Sequence, residues 1–123
     1  MFADSPAFSS FSVDDMDAAK KFYGETLGVK VSEQTEGLAL ELANGGRVFL
    51  YLKEDHVPAT FTVLNFPVND VDQAVDDLTR LGISFEHYPE TDEKGINRVE
   101  GPTIAWFKDP AGNFLSLLKI PEE

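Results

Sequence analysis

Two stretches of the chain repeat one another in their spacing of apolar and polar positions. FSVDDMDAA begins at Phe11 and FPVNDVDQA begins at Phe66, and they match at Phe11/Phe66, Val13/Val68, Asp15/Asp70, Asp17/Asp72 and Ala19/Ala74. Each runs on to a Leu-Gly step, in LGVKV at 27–31 and LGISF at 81–85. Between these landmarks Met16, Ala19, Tyr23 and Leu27 recur at helical spacing, and Val71, Ala74, Val75, Leu78 and Leu81 do the same. Asp14 or Asp15 is expected to cap the first helix and Asn69 or Asp70 the second, with Gly28 and Gly82 as the left-handed stops. The paired acids Asp15/Asp17 and Asp70/Asp72 fall where carboxylates complement the helix macrodipole, and are read as caps rather than as a catalytic pair.

A strand pattern precedes each helix, AFSSFSV at 7–13 and TFTVLNFPV at 60–68. Three more follow each one: VKVSE, LALEL and RVFLYLK in the first half, ISFEHY, TIAWFK and FLSLLKI in the second. The turn signals ANGG (43–46) and DPAGN (109–113) join the last two of each set into hairpins. The expected fold is therefore α+β, one domain of two tandem βαβββ modules at about 6–53 and 60–120. A linker at 54–59 joins them, and one long irregular loop spans 89–101, either a lid over a site or a surface excursion.

Charge narrows the partners. Ten Lys and Arg stand against 22 Asp and Glu, a net charge of −12, which opposes nucleic acid and anionic membrane surfaces and favours a cationic ligand where it does more than confer solubility. With no cysteine there is no disulfide, thiolate metal site or thiol nucleophile. No basic segment followed by an apolar run opens the sequence and no apolar stretch is long enough to span a bilayer, so a cytoplasmic location is expected. The two histidines, His56 in the linker and His87 near a strand end, lack a second ligand at metal spacing and are read as surface or structural.

The duplicated βαβββ pattern, the V-x-D opening of each helix, FYGETLG in the first helix and FKDPAGNFLSL near the end together resemble the vicinal oxygen chelate superfamily. That group includes glyoxalase I, bleomycin-resistance proteins, fosfomycin-resistance thiol transferases and extradiol dioxygenases. The resemblance implies sheets curled into half-barrels around a cavity, helices on the outside, and a homodimer. It also implies where metal ligands would sit. A His five residues before the V-x-D valine corresponds to Phe8 and Val63, the Glu four after the turn glycine to Ser116, and its first-module counterpart, counted from Gly46, to Leu50. None of these is a strong metal ligand, so no metal and no cofactor is expected; a slip of one residue would turn Ser9, Tyr51 or Thr62 inward and still build no site.

Strand alternation then extends the expected ligand-binding face to Ser10 and Ser12 beside Phe8, Asn65 beside Val63, and Phe114 and Leu118 beside Ser116. Trp106 corresponds to an aromatic active-site position of the fosfomycin enzymes. The leading expectation is a protein that binds a small organic ligand, cationic or aromatic, in an apolar cavity without a metal. The alternatives are a metal-free enzyme using Glu41, His87, Tyr88 or Arg98, and a metal-dependent glyoxalase-type lyase.

Overall fold

The computed structural model describes residues 1–99 and 101–119; Glu100, in the long loop, and Ile120, at the end of the expected last strand, lie outside them. The chain divides into two compact units, Met1–Val57 and Pro58–Glu123. The first contains β1 (Ser9–Val13), α1 (Met16–Lys21), β2 (Lys30–Gln34), β3 (Gly37–Glu41) and β4 (Arg47–Leu52). The second contains β5 (Thr62–Pro67), α2 (Val71–Arg80), β6 (Ile96–Asn97), β7 (Ile104–Lys108) and β8 (Phe114–Leu118). Both are α+β, and each builds one mixed four-stranded sheet, in the orders β1-β4-β3-β2 and β5-β8-β7-β6. In each the strand before the helix lies parallel to the last strand of its unit, and the remaining pairs are antiparallel. None of the described helices is long and apolar enough to cross a membrane.

The helix ends follow the sequence. Asp15 accepts from the Ala18 N–H at 3.0 Å and Asp70 from the Gln73 N–H at 3.0 Å, each meeting one donor that the first turn leaves orphaned. The first helix is more irregular than its spacing suggests. After Lys21 the backbone widens into a π-helical turn over Phe22–Thr26, with the Leu27 N–H donating to the Phe22 carbonyl. The wider turn lets two consecutive aromatics, Phe22 and Tyr23, both be buried, their rings edge to face at 5.1 Å.

Register decides the two faces of each sheet. In the first unit Phe11 lies opposite Leu50, and Leu50 opposite Leu38, so these three share a face. The Phe11 ring meets Tyr23 of the π turn at 6.3 Å, so this is the helix side, and Leu50 is fully buried there. Ser10 and Ala39 lie opposite Phe49, and Ser12 opposite Tyr51, so these residues share the other face. The sequence reading placed Leu50 on the ligand-binding face with Phe8, Ser10 and Ser12; the observed register puts Leu50 on the helix side and Phe49 and Tyr51 on the other face. The cause lies in the hairpin turn. Leu42–Gly46 and Asp109–Asn113 are five-residue loops closed by the same N–H to carbonyl bond, and Gly45 and Gly112 hold equivalent left-handed places, φ 77° and 85°. Counted from Gly45 rather than Gly46, the counterpart of Ser116 is Phe49.

The second unit departs from the expected pattern at its outer strand. ISFEHY forms no continuous strand: Phe85 makes a single bridge to Phe107 and the Glu86 N–H donates to the Trp106 carbonyl at 2.8 Å. The chain then leaves the sheet and returns at Ile96–Asn97, which pair with Ala105 and Ile104 on the same β7. The outer strand is thus one strand interrupted by an excursion. At the point of return Gly95 has φ +89°, and a Cβ there would lie 2.8 Å from the Glu86 carbonyl oxygen. Gly95→Ala is therefore expected to cost about 2 kcal/mol by denaturant unfolding, combining left-handed strain with a backbone clash. Gly82→Ala, also left-handed but with open space around it, should cost about 1 kcal/mol. Equal losses at the two positions would show that the close approach at Gly95 is not a constraint.

Candidate functional site

In the second unit Asn65 and Trp106 both lie directly opposite Ser116, one on each neighbouring strand, so the three form a row on the face away from α2. Ser116 is fully buried in that row and its hydroxyl donates to Asn65 Oδ1 at 2.5 Å. One pair further along, Phe114 lies opposite Lys108 and Thr62. Reaching Thr62 requires a bulge between Thr62 and Leu64, and Val63 is the extra residue. Val63 therefore has no register partner, and Thr62, not Val63, stands beside Phe114.

At this end of the sheet Thr60, Phe61, Thr62, Tyr88, Trp106 and Phe114 line a pocket of about 210 Å³. Trp106 and Tyr88 meet edge to face with ring centroids 5.7 Å apart. Phe61 remains 68% exposed, a large apolar ring held at the mouth rather than in the core. The Lys108 ammonium sits 5.0 Å from the Phe114 ring centroid, so a ring of this pocket already attracts a cation. Partial burial and the nearby Glu86 carboxylate raise the Tyr88 phenol above its ordinary value; it is neutral at physiological pH and can donate a hydrogen bond.

Two loops place these rings. The DPAGN turn is more than a hairpin. Its buried Asp109 carboxylate accepts from the Ala111 N–H at 3.0 Å, the Asn113 N–H at 2.8 Å and Asn113 Nδ2 at 3.1 Å. Asn113 Oδ1 in turn accepts from the Ala59 N–H at 3.3 Å, which pins the segment leading into Thr60, Phe61 and Thr62. The excursion after Glu86 brings in Tyr88, and its returning limb is tied to α2. Arg98 spans Asp72 through two nitrogens, at 2.6 and 3.0 Å, and also reaches Asp92, while Lys94 pairs with Asp76 at 3.0 Å. Asp72, read from the sequence as a macrodipole acid, is thus also the anchor of the loop.

The remaining expected residues lie elsewhere. Phe8, Ser10 and Ser12 occupy the first unit; Phe8 is 65% exposed, and the Ser12 hydroxyl is hydrogen-bonded to His56 Nδ1 at 2.6 Å. His56 thereby ties the linker to β1. Glu41 stands opposite Arg47 in the first unit; in the second, His87 is exposed and Arg98 is engaged with Asp72 and Asp92. Sequence reasoning missed Phe61 and Thr60 and had Thr62 only as the outcome of a one-residue slip, because a bulge is not visible in alternation, and it used Tyr88 only as a possible acid or base.

The donor set can be tested against the divalent ion that the fold family often holds. With the register corrected, the four places read Phe8, Phe49, Val63 or Thr62, and Ser116. Neutral hydroxyls and aromatic rings cannot replace a hydration shell. Among the described residues no three His, Asp or Glu side chains cluster as metal ligands. The residues do not fit such an ion.

The comparisons with known proteins agree with the fold. Residues 7–117 match the model of the Glyoxalase/Bleomycin resistance protein/Dioxygenase superfamily, and the chain belongs to that family. It is 25% identical to the protein YraH of Bacillus subtilis (strain 168), over 88% of this chain and 92% of that one. A glyoxalase family protein from Enterococcus faecalis superposes with a TM-score of 0.72 at 22% identity, covering 97% of this chain and all of that one. TnmS3, an antibiotic binding protein from Streptomyces sp. CB03234, gives 0.68 at 24% identity over 98% and 100% of the two chains. A lactoylglutathione lyase from Agrobacterium tumefaciens gives 0.68 at 20% identity over 95% of each. The fold is thus shared by binders and by enzymes.

Hydrogen bonds from Arg98 hold the Asp72 carboxyl below the ordinary range. At Asp92 burial acts in the opposite direction, but the Ile96 and Lys94 amides and Arg98 prevail and its pKa is also lowered. A carboxylate whose folded value is depressed contributes stability above its unfolded value of about 3.9, and loses it as pH falls through the folded value. Amide protection factors across 94–98, taken relative to the intrinsic exchange rate at each pH, are accordingly expected to fall in Arg98→Ala, and in the wild type as the pH drops below about 4. These pairs are largely exposed, so global stability should change by about 1 kcal/mol or less. Unchanged exchange in Arg98→Ala would show that the loop holds itself.

Proposed function

We propose that this chain is a ligand-binding member of its superfamily that takes the flat part of a small organic molecule into the second-unit pocket without a metal. The carrying observation is the set of four aromatic side chains, Phe61, Tyr88, Trp106 and Phe114, around a pocket whose polar groups are neutral threonine hydroxyls and a phenol. Aromatic walls with a few neutral donors suit recognition of ring systems. At about 210 Å³ the pocket is smaller than the roughly 300–1,000 Å³ of drug-sized sites, so it grips one ring system rather than enclosing a whole molecule. Ring faces and a net charge of −12 both favour a ligand carrying positive charge. TnmS3, an antibiotic binding protein of similar fold, is in keeping with this reading.

The assignment extends to Asn65 and Ser116 as the polar floor beneath Trp106, and to a homodimer, which the family resemblance implies. Exposed Leu52, Val57 and Phe61 support burial against a second copy. Light scattering coupled to size-exclusion chromatography is expected to give twice the mass of the chain.

Trp106 is the only tryptophan, so its fluorescence reports on this pocket. Titration with planar aromatic cations such as acridinium and phenanthridinium dyes, checked by thermal shift, should quench the emission saturably and raise the melting temperature. Trp106→Ala should weaken binding, followed by calorimetry, by about 10-fold or more while leaving the fold intact, since loss of one stacked ring costs about 1–3 kcal/mol. A panel of such cations that left both emission and melting temperature unmoved would contradict the proposal.

A further inference from the structure

The first unit holds a second pocket, of about 200 Å³, lined by Phe8, Gln34, Ala39, Arg47, Val48 and Phe49. Its shape follows from small residues. Ala39 lies opposite Phe49, the place that Trp106 takes opposite Ser116 in the second unit, so the side chain that would fill the dent is missing. Gly37 completes it: a Cβ there would lie 2.6 Å from Phe49 Cζ, so the Phe49 ring rests directly on the β3 backbone. Phe8 stands at the mouth, 65% exposed. Two rings beside a floor of alanine leave room for one more ring.

The rim of this pocket differs in charge from that of the other. Arg47 contributes a guanidinium, and among the described residues it forms no ion pair, unlike the guanidinium groups of Arg80 and Arg98. Glu41 lies directly across β3–β4 from Arg47 on the same face, so the anion must be gripped by contact rather than drawn from a distance. A guanidinium presents a planar fork that matches a carboxylate. Gln34, whose Nε2 donates to Ser32 Oγ at 3.0 Å, adds an amide with further donor capacity at the same rim.

We infer that this pocket is a subsite for a single-ring aromatic acid, the ring between Phe8 and Phe49 and the carboxylate on Arg47. It stands on the first unit alone and does not depend on the Trp106 pocket being a ligand site.

The test uses the intact protein labelled with ¹⁵N, titrated with benzoate and, separately, with its neutral isostere benzamide. Benzoate is expected to shift the Ala39, Val48 and Phe49 amides and the Arg47 Nε–H saturably, and benzamide to bind at least about 10-fold more weakly, the worth of a charge-assisted pair. Arg47→Gln, at an exposed position, should keep the spectrum of the folded protein and lose about 10-fold in benzoate affinity. Benzamide binding as well as benzoate, benzoate affinity unchanged in Arg47→Gln, or no saturable shift with benzoate would each overturn the inference. None of these outcomes bears on Trp106 emission, so failure here and failure of the proposed function are told apart.

Discussion

A β-strand offers every second side chain to each face of its sheet, and in this protein the two faces of each sheet have different work. One is filled against the unit's own helix by Phe11, Leu38 and Leu50 in the first unit and Phe107, Leu115 and Leu117 in the second. The other is left to Ser10, Ser12, Phe49 and Tyr51, and to Asn65, Trp106, Phe114 and Ser116. The character of each open face therefore depends on register, since a shift of one residue exchanges a core leucine for a ring on that face.

The same scaffold gives two pockets of opposite character because the duplicated positions hold different residues. Ser116 and Trp106 in one sheet correspond to Phe49 and Ala39 in the other. Where the tryptophan stands, it covers a buried serine and meets Tyr88 brought in by an interrupted strand. Where the alanine stands, the phenylalanine settles onto Gly37 and leaves a dent beside an arginine. In neither unit does a carboxylate or imidazole occupy the places that the family's metalloenzymes use.

Much of the fold was legible in the sequence. The repeat at Phe11 and Phe66, the capping aspartates and the two hairpin turns lead to two βαβββ patterns, because caps, turns and amphipathic spacing are local. What misled was also local. Gly45 and Gly46 are adjacent, and only the closing bond from Leu42 to Gly46 shows which is equivalent to Gly112. The bulge at Val63 and the break between Glu86 and Ile96 are set by pairing with β8 and β7, residues distant in sequence. Trp106 was recognisable as a pocket wall, whereas Phe61 and Tyr88 reach that wall through the DPAGN clamp and the loop anchor, which no spacing rule contains.

The central claim is that this superfamily member binds its ligand with aromatic walls and no metal. It is tested most directly by elemental analysis of protein purified without chelator, repeated after incubation with Ni²⁺, Zn²⁺ and Mn²⁺ and removal of excess ion. The account predicts substoichiometric metal in every sample and a melting temperature that the ions leave unchanged. A tightly held, stoichiometric ion that raises the melting temperature would contradict it.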